Sequence, residues 1–342
     1  MKKFIISIVL IIAFIISLSI VTIGDREESN RFNFKKNSIS NGEKHIKDEY
    51  YKEDLVMEVY ITKKKSIYKI DLEDYVMGVV SAEMPVEFPI EALKSQAVAA
   101  RTYALAHKEI FGAKKSPRAH GGNVNDTTDF QVYINKEERM RLWPKSKREN
   151  FWNKITQAVE ETKGEVLSYD GELVMSPYYF STSGGKTEDA INVFNKEISY
   201  LKSVKSPGEE GASKYISKVK FSYEQLAYML NQWNPKCNIK SKSIKKQVHI
   251  LKRSKAGTVL KMKVGDKCIG GIKFRTILKL NSANFNIDFY KKQVEITCRG
   301  YGHGVGMSQW GSKAMAEDGY DYKKILKHYY KGTNIIKLKI RQ

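Results

Sequence analysis

One carboxylate, a few cations and two glycine-rich loops are the residues of this 342-residue chain whose type and setting could do chemistry. Glu83 stands in Ser81-Ala82-Glu83-Met84-Pro85. A residue before proline is pushed out of the α region, so Met84, and likewise Phe88 before Pro89, should be extended. Glu83 is then expected at a break between two helices, where a side chain can face a cleft and act as a general acid or base. Lys94 and Arg101 follow, seven residues apart, so two helical turns put them near one face. Ser183 lies in Ser181-Thr182-Ser183-Gly184-Gly185-Lys186-Thr187, where small hydroxyls flank a diglycine. Such a loop suits close approach of backbone to a ligand, and equally an ordinary turn. Tyr200 and Lys202 share a face if their segment is extended. His303 sits in a tight loop, Arg299 to Gly311, with four glycines in seven residues. Ordinary glycosidases need a second carboxylate; Glu87 and Glu91 are the nearby candidates. The competing reading of Glu83 is a solvated loop residue beside an amphipathic helix.

The elements that must position these groups follow from local pattern. Leu72, Val76, Val79 and Val80 recur at helical spacing before Glu83. Ile90, Leu93, Ala97, Ala100 and Ala104 form an apolar stripe after it. Leu55–Ile61 and Ser66–Asp71 read as a hairpin, and Glu149–Thr162 as a helix with Trp152, Ile155, Ala158 and Val159 inward. A second hairpin turns at Asp170-Gly171. Ser222 and Gln225 form a capping box opening a helix to Trp233. Val259–Val264 and Gln293–Cys298 read as strands, Phe274–Leu280 as a short helix, and Ser308–Glu317 and the aromatic segment near the C-terminus as helices. Strands and helices mix without βαβ alternation, so the expected class is α+β, with an insertion at about 206–256.

A formal charge of +21, with cations spread along the chain, favours an anionic partner: nucleic acid, anionic lipid or an acidic polymer. Residues 4–23 are twenty uncharged apolar or small residues, long enough to span a bilayer. Lys2 and Lys3 precede them, which orients the N-terminus to the cytoplasm. The organisation expected is a cytoplasmic tip and transmembrane anchor at 1–24, a polar tether at 25–54 and an extracytoplasmic domain at 55–342. A signal peptide cleaved after Ser17-x-Ser19 is the alternative. The glycine loop reads G-x-G-x-G-x-G rather than the dinucleotide fingerprint, and neither a P-loop nor H-E-x-x-H occurs. Cys237, Cys268 and Cys298 are far apart and lack metal-type spacing. One disulfide, three buried thiols and a Cys298–His303 pair all remain open. No nucleic-acid motif accompanies the charge.

The Glu83 segment with Ala-Leu-Lys-Ser-Gln-Ala-Val-Ala-Ala-Arg-Thr-Tyr-Ala-Leu (92–105), the 181–187 loop, Ser199–Val204 and Gly300–Gly311 occur in an order that resembles the stage II sporulation protein D family. These are peptidoglycan lytic transglycosylases of spore engulfment. The likeness spans roughly residues 52–342, plus the anchor. It implies Glu83 as catalytic acid and then base at the MurNAc–GlcNAc linkage, with the muramic acid's own primary hydroxyl closing an anhydro ring. It implies substrate contacts for Lys94, Arg101, Tyr200 and Lys202, and for Ser183, His303, Ser308 and Gln309 in the two loops. The family acts on strands stripped of stem peptides by a partner amidase, stage II sporulation protein P, beside a membrane protein, stage II sporulation protein M. Lys94, Arg101 and Lys202 are then expected to pair with the lactyl carboxylate that amide cleavage unmasks. The implied location is the septal space between mother cell and forespore, on a single-pass membrane anchor. No cofactor and no nucleic acid are implied. Some members bind zinc through cysteines and histidines in the loop matching His120–Gln131; here the loop has no cysteine, so no zinc is expected. A non-catalytic glycan-binding activator of an amidase is the rival reading, since amidase-enhancer proteins share the domain.

Overall fold

A computed structural model describes residues 49–341. The anchor expected at residues 4–23 and all but the end of the tether lie outside them. Among the described residues no helix is long and apolar enough to cross a membrane.

The mixed α+β class is observed, as short sheets and helices around two apolar cores. Helix α1 (Leu72–Glu83) begins at Asp71, whose side chain accepts from the Glu73 N–H. It ends where expected: Met84 is extended, with φ −119° and ψ 143°. A Cβ on Gly78 would run into the Tyr133 ring and the Ile134 carbonyl, which accounts for a glycine in mid-helix. Helix α2 (Ile90–Leu105) departs from the amphipathic expectation. Nearly every residue from Ala92 to Leu105 is buried, polar ones included, because the helix runs through the middle of the first core. Helix α3 (Arg148–Glu160) packs across both, with Trp152, Ile155, Ala158 and Val159 buried. The expected hairpin forms between Met57–Ile61 and Ser66–Ile70, with Ile61 opposite Ser66, and Val124–Asn125 joins its edge in parallel. The second hairpin turns through Asp170 (φ 51°) and Gly171 (φ 78°), the left-handed pair a two-residue turn demands. Asn334–Lys337 adds to its other side.

The second core lies partly within the segment expected as an insertion and reaches past it. Its buried residues run from Leu226 to Cys298, not to 256. Strand Ile216–Ser222 pairs antiparallel with Gln293–Arg299, joining Ser222 to Gln293 and Ile216 to Arg299. That ladder closes a lobe holding helix α4 (Tyr223–Trp233), helix α5 (Gly271–Leu278) and the sheet of Val248–Arg253, Val259–Val264 and Lys267–Ile269. The capping box at Ser222 and Gln225 is formed. Between residues 216 and 299 there are nineteen Lys and Arg against four Asp and Glu, a net +15 of the chain's +21. The positive charge is therefore concentrated in this lobe, contrary to the even spread expected.

After the lobe the chain returns to the first core through helices α6 (Gln309–Glu317) and α7 (Tyr322–Tyr329), both packed on α2.

Candidate active site

Glu83 is the last residue of α1. Because the chain turns extended at Met84, its carboxylate leaves the helix and Oε1 accepts the Val132 N–H at 2.8 Å. Glu83, Ser181 and Gln309 border two hollows, of about 1000 Å³ and about 320 Å³, so the carboxyl sits where the two meet. Burial raises its pKa above the usual carboxylate range, opposed by the Val132 N–H and the Gln309 side chain. A carboxyl group with a raised pKa can carry a proton to one atom and later take one from another. Asp129, the other carboxylate on the larger cavity, is exposed and lies 3.9 Å from Arg118. Glu87 and Glu91 border neither hollow; Glu91 is held by Lys94 and the Tyr322 N–H.

The floor beneath Glu83 is built by the two glycine-rich loops, which approach each other instead of an open ligand space. Met307–Ser308 pairs in parallel with Tyr179–Phe180, and Thr182 bridges Tyr301. Gly306 has φ 81°, and a Cβ there would strike the Tyr178 carbonyl; at Gly300, φ 78°, it would lie 2.6 Å from the Thr182 carbonyl. His303 borders the larger cavity, yet both ring nitrogens are engaged. Nε2 lies 3.1 Å from the Tyr179 carbonyl, and Nδ1 accepts the Val305 N–H at 3.1 Å. Burial lowers its pKa to about 4, so the ring is a neutral brace for the loop. A nucleophile pair with Cys298 is not formed: all three cysteines are free, and Cys298 is buried in the second core.

Ser183 and Ser308 are buried, and both hydroxyls donate to one carboxylate, Glu209, at 2.7 Å each; Ser206 adds a third at 2.5 Å. Ser308 also caps α6, accepting the Gly311 N–H. They brace the site and do not face the cavity. Glu209 escaped the sequence reading, since its segment Ser206-Pro207-Gly208-Glu209-Glu210 carries no local signal beyond that of a loop. Its pKa is raised by burial, against the pull of the three hydroxyls.

Four expected substrate contacts lie elsewhere. Arg101 is wholly buried and bidentate with Glu73 (Nη2–Oε2 2.6 Å, Nε–Oε1 3.0 Å), with further bonds to the carbonyls of Glu165 and Val159. The α2 helix is covered on all sides, so a residue two turns from Lys94 meets protein rather than a cleft. Lys94 reaches Glu91 (2.8 Å) and Glu161 (2.6 Å). Lys202 reaches Glu197 at 2.8 Å. The Tyr200 hydroxyl accepts the Ser176 N–H at 3.1 Å. None of the four borders the hollows at Glu83. Gln309 alone among the loop candidates joins Glu83 on both.

The segment matched to a zinc loop is organised by hydrogen bonds. Asn125 accepts from the backbone N–H and hydroxyl of Thr127, Asp126 accepts from Thr62, and Gln131 bridges Tyr75 and Tyr179. His120 stacks on Tyr60. These donors do not fit a thiolate-rich metal site.

A family model described as Stage II sporulation protein matches residues 60–169. The chain is 38% identical over 277 residues to Stage II sporulation protein D of Bacillus amyloliquefaciens, covering 81% of this chain and 77% of that one. Its likeness to Stage II sporulation protein D of Bacillus subtilis (strain 168) is also 38%, over 81% and 78% of the two chains. It is 30% identical to the Amidase enhancer of Bacillus subtilis (strain 168), over 75% of this chain and 40% of that protein.

Proposed function

This chain belongs to the stage II sporulation protein D family, a sporulation family, and from that premise we propose that it is a lytic transglycosylase of peptide-stripped peptidoglycan. The observation that carries the reading is Glu83: a carboxyl group with a raised pKa, fixed by one backbone N–H where two hollows join. Glycan extending both ways from the scissile bond would occupy both hollows. Protonated Glu83 donates to the glycosidic oxygen as the bond from the muramic acid C1 breaks. The ionised carboxylate then accepts the proton of that sugar's C6 hydroxyl as its oxygen bonds to C1. The proton count closes, no water attacks, and no second carboxylate or cofactor is required. Desolvation suits this double duty, because a pKa nearer neutrality lets one group serve as acid and base.

The working site is placed, in this proposal, outside the cell membrane in the septal space, held by residues 4–23 as a single-pass anchor. The hydropathy of that segment and the lysines before it support this. Partnership with the amidase stage II sporulation protein P and with stage II sporulation protein M belongs to the same proposal.

The likeness to a protein named Amidase enhancer favours one second reading, a glycan-binding activator without chemistry of its own. Purified full-length protein on peptide-free strands separates the two. Transglycosylase action releases anhydro-muramyl products, and Glu83→Gln abolishes them. An activator releases none with either chain, yet accelerates an added amidase.

A further inference from the structure

Arg275 stands on α5 of the second core and borders the same cavity as Glu83. Its Nε donates to the Leu280 carbonyl at 3.1 Å, which folds the side chain back over the end of its own helix. Nη1 and Nη2 have no hydrogen-bond or ion-pair partner among the described residues. The surroundings depress its pKa by desolvation, yet a guanidinium stays charged in proteins. A charge taken partly out of water without a counter-ion is costly, and an incoming anion relieves that cost. The other cations on this cavity, Lys114 and Arg118, are exposed, and Arg118 faces Asp129. Arg275 is thus the sunken cation of the wall. It is also the point where the lobe carrying +15 between residues 216 and 299 reaches the cavity.

Resting on the transglycosylase reading, we propose that Arg275 pairs with the lactyl carboxylate of muramic acid, the group exposed when a stem peptide is removed. The planar fork can donate to both carboxylate oxygens through Nη1 and Nη2. A strand still carrying its peptide offers an amide there and no charge. Lys94, Arg101 and Lys202, which the sequence offered for this task, are already held by Glu91, Glu161, Glu73 and Glu197. The second core is then a selector for peptide-free glycan, and its wider charge draws such strands toward the cavity.

The test measures binding in full-length Glu83→Gln protein in detergent, so that no turnover intervenes. Probes are peptide-free strands, the same strands with carboxylates converted to methyl esters, and chitooligosaccharides of equal length. The free-acid strands should bind at least about tenfold tighter than the other two, the scale of a charge-assisted pair. Adding Arg275→Gln should erase the difference while leaving chitooligosaccharide binding unchanged, and Arg275→Lys should restore part of it. Retained preference in the Gln variant, an equal loss on all three probes, or no preference in the parent overturns the proposal. Failure of the transglycosylase reading appears separately, as absence of anhydro-muramyl products from the wild-type chain. If Arg275→Gln melts early, Arg275→Met supplies the same charge-free comparison.

Discussion

Arg101 and Glu73 form a closed pair inside the first core, bidentate, with side-chain exposures of 0% and 9%. The pair ties α2 to the start of α1, while Nη2 also donates to the Val159 carbonyl of α3 and Nη1 to the Glu165 carbonyl of the Glu165–Tyr169 strand. Removing one partner strands a buried charge. Arg101→Gln is therefore expected to cost about 3–5 kcal/mol. Thermal melting should fall with it, and residual activity per folded molecule should stay near that of the parent. A normal melt with lost turnover would return Arg101 to the substrate.

Glu83→Gln should do the opposite to stability. The folded pKa is raised by burial, so ionisation favours the unfolded chain, and stability falls as pH rises through the folded value. The Gln variant removes that loss. It should melt about 2–4 °C higher near neutral pH, roughly 1 kcal/mol, while the gain vanishes in acid. Differential scanning calorimetry across pH checks the sign, and product analysis checks the expected loss of turnover.

Glu209 holds both loops through Ser183, Ser206 and Ser308. Glu209→Leu should leave the Ser183 and Ser308 hydroxyls and the Ser183 N–H seeking partners, while Ser206 keeps the Tyr329 hydroxyl, at about 1–3 kcal/mol for each group left unpaired. Ser308→Ala, which loses one of those bonds and the α6 cap, should cost about 1 kcal/mol. Denaturant titration ranks the two; a neutral Glu209→Leu would refute its bracing role.

His303 is held neutral, with its pKa lowered to about 4 against an ordinary 6.5. The unfolded chain binds the proton first, so stability should decline as pH falls from about 6.5 toward 4, by a few kcal/mol in total. His303→Gln should flatten that slope in urea titrations at successive pH values. It should leave the alkaline limb of the activity profile where it was, since a neutral imidazole does not titrate there.

Much of the local structure was legible because it obeys short-range rules. Pro85 stops α1 and extends Met84; Asp170-Gly171 accepts left-handed angles; Ser222 and Gln225 cap α4, which ends at Trp233 as its pattern indicated. The position of Glu83 at a helix break belongs to the same set. These are matters of dihedral preference and capping over a few residues.

Other features depended on contacts distant in sequence. Spacing put Lys94 and Arg101 near one face of α2, but the burial of that helix on every side turned the guanidinium toward Glu73, 28 residues back. Glu209 became a hub only because Ser183 and Ser308, from two separate loops, converge on it. The pairing of Ser222 with Gln293 closed the second core far beyond the expected boundary, gathering the charge into one lobe and bringing Arg275 to the cavity of Glu83. By itself the sequence determined where helices and turns begin and end and which acid stands at the break, because neighbouring residues set backbone angles. Only the tertiary structure decided which charges are buried, paired or left facing the cavity, because that depends on which distant surface each side chain meets.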